Sequence, residues 1–233
     1  MYLNVATSLE LAKTAATLSV PAGVTAGVFP NTLAFTGVHD VLHTTPWRLG
    51  AQNVAWVPQG AYTGAISALL FRDAGAEFAL VGHSERRYIF GEDSVSTAKK
   101  LAACWTAGLT PILCIGETAE DLEVDKRQYR LKQQLQDALK EWTGAQPLLV
   151  AYEPVWAIST NKPCTPADAE AIASWLQGFM NETWERTVPV LYGGSVNPQN
   201  IAAYWGSPSL SGVLVGSHSI RAAELTQLMQ EIK

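Results

Sequence analysis

Cysteine, histidine and long apolar runs are all scarce in this chain, and each scarcity removes a class of protein. Three cysteines occur, Cys104, Cys114 and Cys164, with no C-x-x-C spacing. An odd, sparse count argues against a disulfide framework and for reduced thiols in a cytoplasmic setting. The four histidines, His39, His43, His83 and His218, lack ligand-like spacing, so no metal site is expected. No apolar run approaches the roughly 18 residues that a membrane span needs. Met1-Tyr2-Leu3-Asn4 opens without the charged and then apolar regions of a signal peptide. With no basic run and a net charge of −5, nucleic acid is a poor partner. A small anion such as phosphate would need local help from backbone N–H groups rather than a global field. No G-x-G-x-x-G follows a first strand, which argues against a doubly wound dinucleotide fold.

What is present is an alternation. Short apolar runs stand at Val24–Phe29, Leu49–Val54, Phe78–Gly82, Ile112–Ile115, Leu148–Tyr152, Val188–Tyr192 and Gly212–Val215. Each is apolar nearly throughout, as strands buried on both faces of a parallel sheet are. Amphipathic stretches separate them. A helix is expected over Ala6–Leu18, another after Asp93-Ser94 over Val95–Ala107, and a long unbroken one over Glu117–Trp142. Thr165-Pro166-Ala167-Asp168 reads as a capped helix start with proline at its first position. This βα alternation predicts an α/β fold with a parallel sheet, and 233 residues suit one (β/α)8 barrel spanning 1–233. Seven strands are found where a closed barrel wants eight, which leaves a barrel short of its first strand or an open sheet.

Four segments place polar or glycine-rich residues at the C-terminal end of a strand, the catalytic end in barrels. Val81-Gly82-His83-Ser84-Glu85-Arg86-Arg87 offers a histidine, which by itself is better read as a capping or core residue. Tyr152-Glu153-Pro154 ends a buried run on a carboxylate. Burial should raise its pKa and make it a better base, though a salt bridge to Arg86 or Arg87 is the plainer use. Tyr192-Gly193-Gly194-Ser195 and Val215-Gly216-Ser217 allow close backbone approach to an anion, but each alone is a common turn.

Taken in order, A-Q-N at Ala51–Asn53, G-A-Y-T-G at Gly60–Gly64, V-G-H-S-E-R-R, C-I-G-E at Cys114–Glu117, Y-E-P-V-W-A-I, Y-G-G-S-V and G-V-L-V-G resemble the triose-phosphate isomerase family across almost the whole chain. The resemblance implies a TIM (β/α)8 barrel that interconverts dihydroxyacetone phosphate and glyceraldehyde 3-phosphate without a cofactor. It implies Glu153 as the base and His83 as the electrophile, the latter a neutral imidazole as is established for that family. Glu85 lies beside the site. Gly194, Ser195, Gly216, Ser217 and Ser159 match phosphate-binding positions, and Cys114 matches a packing position. Pro154–Cys164 matches a water-excluding lid, and Gly60–Gly64 matches the projecting loop through which the family forms homodimers. Two other readings are a catalytically dead phosphate-binding or scaffold homologue and a different phosphosugar isomerase or epimerase of the barrel class.

Three departures stand out. The family lid reads Gly-Thr-Gly-Lys where this chain has Ser159-Thr160-Asn161-Lys162, and Ser159 is the more strained change if φ is positive there. Gly216-Ser217 replaces a Gly-Gly pair, so the serine side chain crowds the phosphate position. Family members begin with a strand ending Asn-Trp-Lys-Met, and Met1-Tyr2-Leu3-Asn4 resembles the continuation from that Met. The expectation is therefore a barrel without its first strand and without the active-site Asn and Lys, with impaired activity. Lys13 falls inside a helix and is no substitute.

Overall fold

A computed structural model describes residues 2–158 and 163–232. The order is α1 (Val5–Thr17), β1 (Gly27–Val28), α2 (Phe35–Leu42), β2 (Arg48–Ala51), α3 (Ala68–Asp73), β3 (Phe78–Val81), α4 (Ser84–Tyr88), α5 (Ser94–Thr106) and β4 (Thr110–Ile115). It continues through α6 (Ala119–Glu123), α7 (Arg127–Ala138), β5 (Leu149–Tyr152), α8 (Pro166–Trp184), β6 (Val190–Tyr192), α9 (Ile201–Trp205), β7 (Gly212–Val213) and α10 (Ala222–Glu231). The seven strands form one parallel sheet in sequence order, β1 to β7. Each predicted run overlaps one of them, with β2 starting one residue and β4 two residues ahead of the expected run. The two outermost strands are the shortest, Gly27–Val28 inside Val24–Phe29 and Gly212–Val213 inside Gly212–Val215. Both have one strand neighbour instead of two among the described residues, so less ladder holds them in register.

Alternation along the strands sorts side chains to two faces. Leu113, Ile115, Val150, Tyr152, Val190 and Tyr192 point into a large core with Leu101, Leu131, Leu135 and Leu176 from the helices. Ile112, Cys114 and Ala151 form a second cluster whose partners, Phe29, Phe78, Leu80, Leu149, Leu191 and Leu214, come from strands and strand ends alone. That is the inner face of the curled sheet. Burying a leucine fully contributes roughly 1.5–3 kcal/mol, so the helix-facing layer supplies most of the hydrophobic stabilisation.

Helix starts follow side-chain chemistry. Asn4, Ser67, Asp93 and Thr165 each accept a backbone N–H three residues on, and Pro166 takes the first position of α8 as predicted. The single long helix expected over Glu117–Trp142 is two helices. Thr118 and Asp121 build a capping box that starts α6, and Asp125 then turns left-handed at φ 54°. The N–H of Lys126 closes the break on the Asp121 carbonyl at 2.7 Å. Aspartate tolerates that conformation better than most residues, so neither glycine nor proline is needed to end the helix. Arg130 of α7 spans the break with a forked pair of bonds to the Asp121 carboxylate.

Candidate active site

Because the strands are parallel, the residues that follow β3, β4, β5 and β6 gather at one end of the sheet. Glu153 follows β5, and its N–H donates to the Ile115 carbonyl at 2.7 Å. Its side chain is 2 % exposed. Oε2 accepts the backbone N–H of Ser84 at 3.1 Å, and Oε1 lies 3.2 Å from His83 Nε2. His83 caps α4, and its Nδ1 accepts the Glu85 N–H at 3.3 Å. A nitrogen that accepts carries no proton, so in the neutral ring the proton sits on Nε2, facing the carboxylate. Burial raises the Glu153 pKa, and the nearby His83 and the Ser84 N–H pull against it.

The backbone around Glu153 leaves no slack. A Cβ on Gly116 would sit 1.7 Å from the Glu153 carbonyl oxygen, and one on Gly193 would sit 2.9 Å from its Cγ. Only glycine lets the ends of β4 and β6 approach the end of β5 so closely. Gln134 holds Gly116 from behind, accepting its N–H at 2.8 Å and donating to its carbonyl at 3.0 Å. Cys114 lies beside Glu153, fully buried, and burial pushes its thiol well up, which suits packing and not nucleophilic attack. The arginines do not pair with Glu153. Arg86 binds Glu92 at 3.2 Å, and Arg87 donates to the carbonyls of Gly82 and Cys114.

The other predicted residues fall as follows. The Glu85 side chain is 66 % exposed, its carboxylate 3.9 Å from His83 Nδ1, at the edge of the pair and outside it. Ser195 adopts φ 49° and donates from Oγ to the Ala157 carbonyl at 2.5 Å. Gly194 sits between it and Gly193. Gly216 and Ser217 are exposed and start a short 3₁₀ turn. The bond from Leu214 N–H to the Tyr192 carbonyl, at 2.9 Å, registers this turn beside the Tyr192–Ser195 loop. Among the described residues, nothing accepts the N–H groups of Ser195, Gly216 or Ser217. Ser159, with Thr160, Asn161 and Lys162, lies outside the described residues. Lys13 pairs with Glu10 on the exposed face of α1.

Glu117 is a buried hub that the motifs alone did not single out. It is 0 % exposed, and its Oε1 accepts from Tyr152 OH at 3.0 Å and Trp156 Nε1 at 2.8 Å, with Arg127 Nε 3.2 Å away. Burial, and then the carboxylate, push the Tyr152 phenol up, so it remains a donor. The final acid of C-I-G-E and the tryptophan of Y-E-P-V-W were both visible; that they meet was not.

A curled parallel α/β sheet with a buried carboxylate beside a histidine at its C-terminal strand ends has the layout of the (β/α) barrel class. Residues 1–232 match the family model described as triosephosphate isomerase. The chain is 41 % identical over 208 residues to the Triosephosphate isomerase of Roseiflexus castenholzii, covering 87 % of this chain and 82 % of that protein. It is 40 % identical over 220 residues to that of Chlamydia muridarum, covering 92 % and 81 %. Against that of Bdellovibrio bacteriovorus it is 40 % identical over 200 residues. The chain belongs to the triosephosphate isomerase family.

Proposed function

We propose that this chain interconverts dihydroxyacetone phosphate and glyceraldehyde 3-phosphate, with Glu153 as the base and His83 as the electrophile. The observation that carries the assignment of roles is the 3.2 Å approach of His83 Nε2 to the buried Glu153 carboxylate. A carbonyl oxygen that accepts the Nε2 proton is polarised there, and the neighbouring carbon lies within reach of the carboxylate. Glu153 removes a proton from that carbon, giving an enediolate; the hydroxyl proton of that carbon passes by way of His83 Nε2 to the oxygen of the adjacent carbon, and Glu153 returns its own proton to that adjacent carbon, so no proton is gained or lost overall. The raised pKa of Glu153 makes it a stronger base than a solvated carboxylate. The N–H groups of Ser195, Gly216 and Ser217, which have no acceptor among the described residues, form the phosphate-holding set together with Gly194 and, by the resemblance, Ser159, and Glu85 borders the pair.

The reading extends to one domain over residues 1–233, to a cytoplasmic protein and to a homodimer. Three buried, unpaired cysteines agree with a reducing compartment. Association is supported by exposed apolar side chains: Ile89 and Phe90 at 72 % and 63 %, and Tyr62 of the Gly60–Gly64 loop, which packs edge-to-face with Trp56. No helix among the described residues is long and apolar enough to cross a membrane.

The test is a coupled assay for glyceraldehyde 3-phosphate formation with the parent and His83→Gln, alongside sedimentation. Turnover by the parent and a large loss in His83→Gln are expected, with a dimer at micromolar concentration. Undiminished turnover by His83→Gln would overturn the assignment of roles.

A further inference from the structure

The Cys164 peptide is gripped on both sides by tyrosines. Its N–H donates to Tyr192 Oη at 3.0 Å, and its carbonyl accepts from Tyr204 Oη at 2.5 Å. The two rings stack, centroids 4.2 Å apart at 19°. Tyr192, Tyr204 and Cys164 are all buried. Tyr192 ends β6 and leads directly into Gly193-Gly194-Ser195. Gly194 comes so close to the Tyr192 hydroxyl that a Cβ there would lie 2.6 Å from it. Tyr204 takes no part in the chemistry assigned to Glu153 and His83, and it reaches Cys164 from α9, the helix after the loop.

We propose that Tyr204 is a positioning residue for the Tyr192–Ser195 loop. It acts through the Cys164 peptide: its hydroxyl fixes the carbonyl, the same peptide's N–H fixes the Tyr192 hydroxyl, and Gly194 rests against that hydroxyl. A phenylalanine at 204 preserves the stack but leaves a buried carbonyl without a donor. A leucine fills space and does neither. The role rests on the reading of this loop as part of the phosphate site.

The test uses the whole chain and inorganic phosphate as probe. Tyr204→Phe is expected to raise both the inhibition constant of phosphate and the KM about fivefold, the equivalent of one hydrogen bond. Turnover number and the pH profile should stay within about twofold, because Glu153 is untouched. Tyr204→Leu should raise both constants further. Tyr192→Phe, which removes the acceptor of the Cys164 N–H, should act in the same direction, and the double variant should show less than the sum of the two effects. Should Tyr204→Phe fail to fold, the Tyr192→Phe result decides. A lowered melting temperature with unchanged phosphate inhibition and KM would reduce Tyr204 to a packing residue and overturn the proposal. Phosphate binding read by ³¹P NMR separates this idea from the isomerase reading. A parent that binds phosphate but does not isomerise dihydroxyacetone phosphate sinks the function alone, and the proposal then stands or falls on whether Tyr204→Phe weakens that binding. A parent that does not bind phosphate sinks the proposal.

Discussion

Glu153 Oε1 lies 3.2 Å from His83 Nε2, while Glu153 Oε2 is held by the Ser84 N–H, so the carboxylate is both buried and aimed. The pH dependence follows. Burial is the main reason its pKa is raised, and the base must be ionised to work. Activity should therefore fall as pH drops through a value above the ordinary carboxylate range. Stability runs the other way. The folded chain binds this proton more tightly than the unfolded chain, so the group's contribution is greatest in acid and declines as pH rises through the folded pKa. Glu153→Gln removes that decline along with the base. Turnover should fall about a thousandfold, while denaturant unfolding at neutral pH shows a more stable protein. A variant less stable than the parent at neutral pH would mean that His83 and Ser84 outweigh burial.

Gly116→Ala tests the close approach behind the base. The new Cβ would meet the Glu153 carbonyl oxygen at 1.7 Å, so backbone must move. Positioning errors near 1 Å can lower rates about a hundredfold, and overpacking destabilises by roughly 1–3 kcal/mol. Both losses should appear together in kinetics and urea unfolding. Wild-type kinetics in this variant would show that Glu153 does not depend on the spacing between the ends of β4 and β5.

Most of the frame was legible because it is local. Apolar runs marked every strand, and Asp93 and Thr165-Pro166 marked their helix starts by hydrogen-bond chemistry that acts within three residues. His83 and Glu153 were legible as motifs. The break at Asp125 was not, because it depends on Arg130 and the Thr118–Asp121 box agreeing on a left-handed turn that no glycine announces. Glu117 was missed as a hub for a similar reason: Tyr152, Trp156 and Arg127 reach it from three separate places in the chain. Arg86 and Arg87, plausible partners for Glu153 by charge alone, are drawn away by Glu92 and by two strand-end carbonyls.

The cysteines supply a chemical check on burial. Cys104 and Cys164 are each pushed up to about 12, chiefly by burial, and Cys114 well above its usual value. At pH 8 a thiol near 12 is ionised in about one molecule in ten thousand. Iodoacetamide should leave all three unmodified in the native protein and label all three in urea, read by mass spectrometry. Rapid native labelling of Cys164 would show that the Tyr192–Tyr204 grip opens.

Glu117, itself fully buried, gathers two donors and a cation, and its partners rank its variants. Glu117→Leu would leave the Tyr152 hydroxyl and the Trp156 indole without their acceptor and Arg127 without its nearby counter-charge. Breaking a buried pair from one side is strongly destabilising, and the partial exposure of Arg127 places the expected loss near the low end, about 3 kcal/mol. Trp156→Phe removes one donor and leaves the other contacts of Glu117 in place, so about 1 kcal/mol is expected. Its kinetic effect should be larger in proportion. Trp156 adjoins Ala157, whose carbonyl accepts the Ser195 hydroxyl, so a shift of the ring reaches the loop that is to hold phosphate. Urea unfolding of both variants should give the order Glu117→Leu below Trp156→Phe below the parent, and Trp156→Phe should raise KM several-fold. Equal stability losses in the two variants would place the energy of the cluster in the indole bond alone, and an unchanged KM would disconnect Trp156 from the phosphate loop.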